Sequence, residues 1–560
     1  MIYDQKLASA SLKSLYRIFT VPEAPDSTLG RIDRNLSRNL TEFLQEHIVA
    51  VEKDLEEIEK DFSDPRIPEE PSFVSSHADF LLNKLVSQSV HTASPSFVGH
   101  MTTALPYFML PLSRIMIALN QNLVKTETSK AFTPLERQVV GMIHQLMFQC
   151  DEDFYAKWMH DSRHALGAFG SGGTVANLTA LWAARNNAFP EDADFKGVRR
   201  EGMYRALRHY GFEGAAVLTS HRGHYSLRKA ADLLGIGSRQ LILVNTDDAN
   251  KMDPEQLRCS CLSLTDQGVR VMSIVGIAGT TETGSVDPLD ELADVAREFD
   301  CHFHVDAAWG GPTMFSRKYR SLLKGIEKAD SVTIDAHKQL YVPLGAGLVV
   351  FRDPKTLNSI EHHAQYVIRK GSKDLGSITL EGSRPGMAML VYAGLNIIGR
   401  QGYELLINRG IELASAFAEM IRNRADFELI SEPELNILTY RYVPTTVREA
   451  LEYGDRDKVR ELNKGLNKIT RYIQKTQRAQ GRAFVSRTRL NPARYDGDAV
   501  IVFRVVLANP LTTLEILSDI LEEQESIAKD EETAEVRTRL EEISVNCFEP
   551  GKPVLKASDG

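Results

Sequence analysis

The chain has 560 residues, 43% apolar and 25% charged, proportions that exclude collagen-like, wholly disordered and repeat-built proteins. Sixty-six basic against 75 acidic residues leave a formal net charge of −9, which argues against a dedicated nucleic-acid binder and toward small-molecule partners. The five cysteines, Cys150, Cys259, Cys261, Cys301 and Cys547, form no Cys-x-x-Cys pair, so a reducing, cytoplasmic setting is expected. No secretory signal is expected from MIYDQKLASASLKSLYRIF, which lacks a long apolar region. The most apolar stretch, Ala104 to Leu119, is broken by Pro106, Pro111 and Arg114 and is too short to span a bilayer.

In chain order, Leu36, Leu40, Phe43 and Leu44 have helical spacing, followed by the breaker-rich DPRIPEEPS. An N-terminal helical segment is therefore expected over 1–130. A helix over 135–147 is predicted to open on Thr133-Pro134. Between 161 and 352 short β-branched runs alternate with amphipathic stretches: AAVL, LILV, VMSIVGIA, CHFHVDA, SVTIDA and GLVVF. That alternation predicts parallel crossover units and a large three-layer α/β domain over 131–400, with a mostly parallel sheet and ligands at the strands' carboxyl ends. A loop is expected over 361–386 and a long helix from there to 424. FELI, NILTYRYV, AFVSRTR and AVIVFRVVL around DRDKVRELNKGLNKITRYIQKTQ predict a small α+β C-terminal domain over 401–549. Its last helix should start at the capping box Thr512-x-x-Glu515, and 550–560 should be a polar tail.

Four clusters could carry chemistry. Gly170-Ser171-Gly172-Gly173-Thr174 leads into an apolar helical face, where backbone N–H groups and two hydroxyls suit an anion; an isolated glycine-rich turn would more often be a simple cap. His224 closely follows the strand AAVL, where an imidazole can stack on a flat ring or move a proton; alone it would more often be structural. Asp306 ends a strand and precedes Ala307 and Ala308, so it can meet a protonated ring nitrogen or cap the next element. Lys338 follows the strand VTI with Asp335 and His337 before it, and a strand-end lysine in apolar surroundings can act as a carbonyl nucleophile. Lys338 lies 32 residues beyond Asp306, room for one crossover helix. Together, in this order on one sheet, the four are far more specific than any alone.

The ordered motifs GSGGTVANL, HRGHYS, HVDAAWGG and DAHK resemble those of the group II pyridoxal-phosphate decarboxylases, the family of glutamate and aromatic amino acid decarboxylases. The resemblance implies fold type I (aspartate aminotransferase-like), pyridoxal 5'-phosphate as cofactor, no metal, and a homodimer with shared active sites. It implies that Lys338 bonds the cofactor, Asp306 partners the ring nitrogen and His224 stacks on the ring. Ser171, Gly172, Gly173 and His337 fall on the phosphate side, and Thr281 and Ala308 line the ring. FRVVLANP points to Arg504 as the arginine for a substrate carboxylate. SPSFVGH resembles a substrate-pocket segment, with His100 where glutamate decarboxylases have Gln. Related enzymes carry a mobile-loop Tyr before a G-x-R segment, whereas IRKGSKDLGSITLEGSRPG has none, leaving upstream Tyr366 as the candidate protonating residue. The chain is most similar to the bacterial branch acting on L-aspartate, which implies decarboxylation at C1 to β-alanine and carbon dioxide. A glutamate decarboxylase giving γ-aminobutyrate is the alternative; a carbon–carbon lyase, an aminotransferase or a cofactor-free binding protein are more remote.

Overall fold

All six predicted runs between 161 and 352 form strands in a seven-stranded sheet. The computed structural model describes residues 27–48, 53–72, 74–364, 368 and 371–545; Tyr366, Cys547 and the tail over 550–560 lie outside them. In chain order the strands are β1 (Gly167–Gly170), β2 (Gly214–Ser220), β3 (Leu241–Val244), β4 (Val269–Ile277), β5 (His302–Asp306), β6 (Ser331–Asp335) and β7 (Gly347–Phe351). Their spatial order is β1-β7-β6-β5-β4-β2-β3, with β7 antiparallel to both neighbours and the other pairings parallel. β1, which the sequence does not announce, is Gly-Ala-Phe-Gly; its antiparallel pairing with β7 supplies the order that its composition lacks.

Helices cover the sheet, as a parallel sheet requires. Val139, Val140 and Ile143 of the helix Phe132–Phe148 share one core with Ile274 of β4 and Val305 of β5. Val275 and Ile277 of β4 belong to a second core with Leu181 and Leu227. The smaller C-terminal sheet has strands β8 (Phe427–Ser431), β9 (Ile437–Tyr442), β10 (Ser486–Leu490) and β11 (Val500–Val506) in the antiparallel order β10-β11-β9-β8. The long charged helix forms over Arg456–Gln480, with Asp455 as its N-cap. No helix among the described residues is long and apolar enough to cross a membrane.

Several local expectations change. The β5–β6 crossover carries no α-helix; three short 3-10 turns, Gly311–Phe315, Arg320–Leu323 and Ile326–Lys328, span it. The capping box at Thr512 does not form: Thr513 is the N-cap of the helix Leu514–Ile527, and the Thr512 hydroxyl donates to the Pro95 carbonyl at 2.7 Å. Thr133 likewise caps nothing, because its helix begins at Phe132 and its hydroxyl pairs with Ser129 Oγ at 2.6 Å. At Thr512 a tertiary partner outcompetes the local cap, and at Thr133 a hydroxyl one turn earlier does so. The helix expected up to 424 is two, Ala388–Ile397 and Gly399–Arg422, broken where Gly399 takes φ 68°.

Two buried histidines give the fold an acid-side weakness. Burial pushes His144 down to about 4 and His304 down to about 3. The unfolded chain takes up protons below its usual histidine value near 6.5 while these folded sites do not, so stability falls as pH drops from about 6.5 toward those values, by about 1.4 kcal/mol per pH unit for each. Asp287, pushed up to about 7 by burial, binds a proton in the folded state between about pH 4 and 7 and offsets roughly one of them. His144→Gln, which can still donate to the Phe351 carbonyl and accept from the Tyr155 hydroxyl, is therefore expected to lose less Tm than wild type between pH 7 and pH 5. Parallel melting curves in the two proteins would remove His144 from the effect.

Candidate active site

The carboxyl ends of β2, β4, β5 and β6 open onto one cavity of about 850 Å³. Parallel register sets the relative heights: Asp306 at the end of β5 lies level with Ile277 of β4 and Thr333 of β6. The residues following each strand then turn into the same space. His221 to His224 follow β2, Thr281 and Glu282 follow β4, Ala308 follows β5, and His337 and Lys338 follow β6, all lining the cavity. Ser171, Gly172 and Gly173 enter from the β1 side, while His100 and Arg504 enter from outside the large sheet. Every sequence-expected site residue among the described residues is thus brought together; Tyr366 lies outside them.

At one end of the cavity the helix Gly173–Asn187 begins with no side-chain cap, its N-cap position being Gly172. A Cβ at Gly173 would stand 2.7 Å from Asp335 Oδ2, and one at Gly172 would stand 3.2 Å from His337 Cε1. Glycine at both keeps open a cradle of uncapped helix N–H groups, suited to an anion. The His337 ring is fixed by donation from Nδ1 to the Ala346 carbonyl at 3.0 Å. Lys338 Nζ lies 3.1 Å from Asp335 Oδ2, while Asp335 Oδ1 is buried without a partner.

At the floor, Asp306 is 5% exposed. Its Oδ2 accepts from Asn177 Nδ2 at 2.8 Å and its Oδ1 from the Ala308 backbone N–H at 3.2 Å. His224 is the N-cap of the helix Tyr225–Leu233; burial holds its pKa below the usual value, opposed by Asp306. The loops after β5 and β6 are tied to the C-terminal sheet. Trp309 Nε1 donates to Asn436 Oδ1 at 2.9 Å, Asn436 Nδ2 to Gln339 Oε1 at 2.9 Å, and Gln339 Nε2 to the Trp309 carbonyl at 2.7 Å.

Arg504, on β11, reaches from the small sheet into the large one. Its Nε donates to the Thr281 carbonyl and its Nη1 to the Gly99 carbonyl at 3.2 Å, leaving Nη2 buried without a partner. Burial pushes its pKa down to about 10, opposed by Glu282, so the guanidinium stays charged at neutral pH. The 97–99 segment is held against the C-terminal unit: Val98 N–H donates to the Phe484 carbonyl at 3.0 Å and Val506 N–H to the Val98 carbonyl at 2.7 Å. A Cβ at Gly99 would lie 2.5 Å from Ser486 N, so glycine permits this approach. His100 follows directly. The sequence allows it a positive charge, but burial and then the Arg504 and Lys338 cations lower its pKa, so it presents a neutral ring.

Sequence reasoning assigned no role to Asn177, Ser226, Asp335, Arg222 or Glu282, all of which lie in or against this site. Glu282 lines the cavity with Oε2 buried and unpartnered. Asn177 had a usable signal, a polar residue in the otherwise apolar run VANLTALWAA. Among the described residues no group of three or more His, Cys, Asp or Glu could hold a metal.

Comparison with known proteins places this geometry. Residues 57–443 match the model of the pyridoxal-dependent decarboxylase conserved domain. The chain is 60% identical over 532 residues to aspartate 1-decarboxylase of Aliivibrio fischeri (strain ATCC 700601 / ES114), covering 95% of this chain and 97% of that one. It is 29% identical over 457 residues to the mouse acidic amino acid decarboxylase GADL1, covering 80% and 76%. Among solved structures, mouse CSAD aligns with a TM-score of 0.76 at 24% identity over 90% of this chain and 98% of that one. Oryza sativa TDC, solved with PLP and tryptamine, aligns with a TM-score of 0.75 at 18% identity over 93% and 99%. At these identities the two structures establish the shared fold.

Proposed function

The chain belongs to the pyridoxal-dependent decarboxylase family, and we propose that its reaction removes C1 of L-aspartate, giving β-alanine and carbon dioxide. It is a pyridoxal-phosphate-dependent amino acid decarboxylase. The observation carrying the choice of substrate is the 60% identity, over 95% of the chain, to an aspartate 1-decarboxylase. The cavity supports it with one spare donor of a charged, buried arginine, Nη2 of Arg504, because a guanidinium fork favours a substrate with a second carboxylate.

The residues fit the cofactor. The glycine cradle at the helix start suits its phosphate, and the unpartnered oxygen of Asp335 and the accepting face of Asp306 suit donors on or beside its ring. Bound pyridoxal phosphate supplies a carbon that bonds the substrate's nitrogen and a ring that takes up the electron pair left on Cα when carbon dioxide departs. On this reading Ser171, Gly172, Gly173 and His337 hold the phosphate side, and Thr281 and Ala308 border the ring. His224 would cover the ring's face, and Asp306 would hold a proton on its nitrogen. Lys338 would supply the amine that bonds the cofactor, and Asp335 Oδ2, 3.1 Å from its Nζ, would position it. Arg504 fixes one carboxylate of the substrate, which limits how the other can point and so which bond breaks. For the proton delivered at Cα we retain Tyr366. The active form is proposed to be a cytoplasmic homodimer with sites at the subunit boundary; full activity in a demonstrated monomer would overturn that.

Product analysis tests the substrate. With L-aspartate and L-glutamate under matched conditions, β-alanine should form faster; faster γ-aminobutyrate would establish the alternative, glutamate decarboxylation. Aspartate and glutamate differ by one methylene, which discriminates by about 1–3 kcal/mol, so pocket depth decides. His100, a rigid neutral ring beside Arg504, is assigned to make the pocket shallow. His100→Gln is expected to narrow the aspartate-over-glutamate ratio in kcat/KM by about tenfold; an unchanged ratio would release His100 from this role.

A further inference from the structure

Behind Asp306 a line of polar side chains runs into the core and takes no part in the chemistry above. Alternation along β5 turns His302, His304 and Asp306 to one face, while Phe303 and Val305 enter the core opposite. Ser331 of β6 lies beside them, and Asn177 comes from the helix Gly173–Asn187. Asn177, Ser226, His304 and Ser331 are at most 1% exposed, and every side-chain polar atom of these four has a partner.

Chemistry fixes the direction of each bond. A carboxylate only accepts, so the Asn177 nitrogen faces Asp306 Oδ2, at 2.8 Å. Asn177 Oδ1 must then accept, from His304 Nε2–H at 3.1 Å. His304 Nδ1 is left to accept from the Ser331 hydroxyl at 2.8 Å, whose oxygen accepts from His302 Nε2–H at 2.7 Å. The second Asn177 N–H donates to Ser226 Oγ at 3.1 Å. That hydroxyl donates to His224 Nδ1 at 2.8 Å, which also takes the Ser226 backbone N–H at 3.3 Å. With two donors aimed at Nδ1, the neutral His224 ring carries its hydrogen on Nε2. Turning the Asn177 amide over would set a carbonyl oxygen against Asp306 and an N–H against His304, breaking both bonds at once.

We propose that Asn177 is a positioning residue whose single carboxamide fixes the rotamer of Asp306 and the tautomer of His224 together, locked in orientation by the His302–Ser331–His304 chain. The proposal deepens the cofactor assignment and rests on it. It makes the two groups that meet the cofactor ring one preorganised unit, so that neither has to reorient when charge develops on the ring.

The test uses the full-length protein stripped of cofactor and labelled with 15N-histidine, the His224 signals being assigned by their loss in His224→Gln. Wild type should show one neutral tautomer, with a pyrrole-type Nε2 and a pyridine-type Nδ1. Asn177→Ala should give mixed tautomers and about tenfold weaker binding of pyridoxal phosphate, followed by its absorbance on titration. Ser226→Ala, which removes the 2.8 Å hydroxyl donor and leaves only the longer 3.3 Å backbone N–H on His224 Nδ1, should mix the tautomers with a smaller loss of cofactor affinity, and it keeps the test open if Asn177→Ala fails to fold. Wild-type tautomer in Ser226→Ala, or wild-type cofactor affinity in a folded Asn177→Ala, would overturn the coupling. A wild-type protein that takes up no pyridoxal phosphate would instead remove the cofactor assignment, with the tautomer result still readable.

Discussion

Lys338→Ala is expected to lower kcat by at least about a thousandfold while the protein still folds and still takes up pyridoxal phosphate. The lysine is the cavity's amine nearest a buried carboxylate, 3.1 Å from Asp335 Oδ2, and it stands at the carboxyl end of β6, where the sheet delivers its ligand-binding loops. On the proposed role, removing it would take away both the nitrogen that exchanges with the substrate's amino group and a positioned proton carrier; a proton carrier alone is worth about a hundredfold to ten-thousandfold. Phosphate-side binding should survive, because the cradle at Gly172 and Gly173 is built from backbone. Borohydride reduction and peptide mapping supply the check: the pyridoxyl group should be found on Lys338 in wild type and on no lysine in the variant. An adduct elsewhere would move the covalent site.

Asp306→Asn should lower kcat on the order of a hundredfold, the equivalent of about 3 kcal/mol for one charge-assisted contact in the transition state. The amide can satisfy the Ala308 N–H with its oxygen, but its nitrogen then faces the nitrogen of Asn177, where a 2.8 Å bond now stands. Relief requires Asn177 to turn over, which would present an N–H to His304 Nε2–H. The substitution is isosteric yet reaches beyond its own position, so loss of activity should come with a change in the bound cofactor's absorbance. Near wild-type turnover with an unchanged spectrum would take Asp306 away from the ring nitrogen.

The meeting of His224, Asp306 and Lys338 was legible in the chain because each ends or follows a predicted strand, and parallel strands gather their carboxyl ends on one side; His100 and Arg504 were indicated by resemblance alone. Runs such as LILV and GLVVF are strands by residue type alone, and both form with the predicted bounds. Order on the chain thus becomes proximity in space without any knowledge of packing. The same logic fails where a neighbour far along the chain decides. β1 is a strand because β7 lies beside it, and Thr512 is no cap because Pro95 is there to accept its hydroxyl.

The strands HFHVD and SVTID show the division most sharply. Alternation by itself reads as one face to the core and one to solvent, yet every residue of SVTID and all but the first of HFHVD are buried. Only the tertiary structure places the helix Gly173–Asn187 over the polar face, where its small residues Ala176 and Ala180 permit close approach and Asn177 satisfies the polar groups beneath. The sequence by itself determined the order of the motifs along the chain, their places at strand ends and the chemistry they can carry, because all three depend on residue type and local spacing. The tertiary structure alone decided that burial lowers the pKa of His100, that Arg504 keeps a spare donor and that Asn177 bonds Asp306 directly and reaches His224 through Ser226, because burial and hydrogen-bond direction are set by groups distant along the chain.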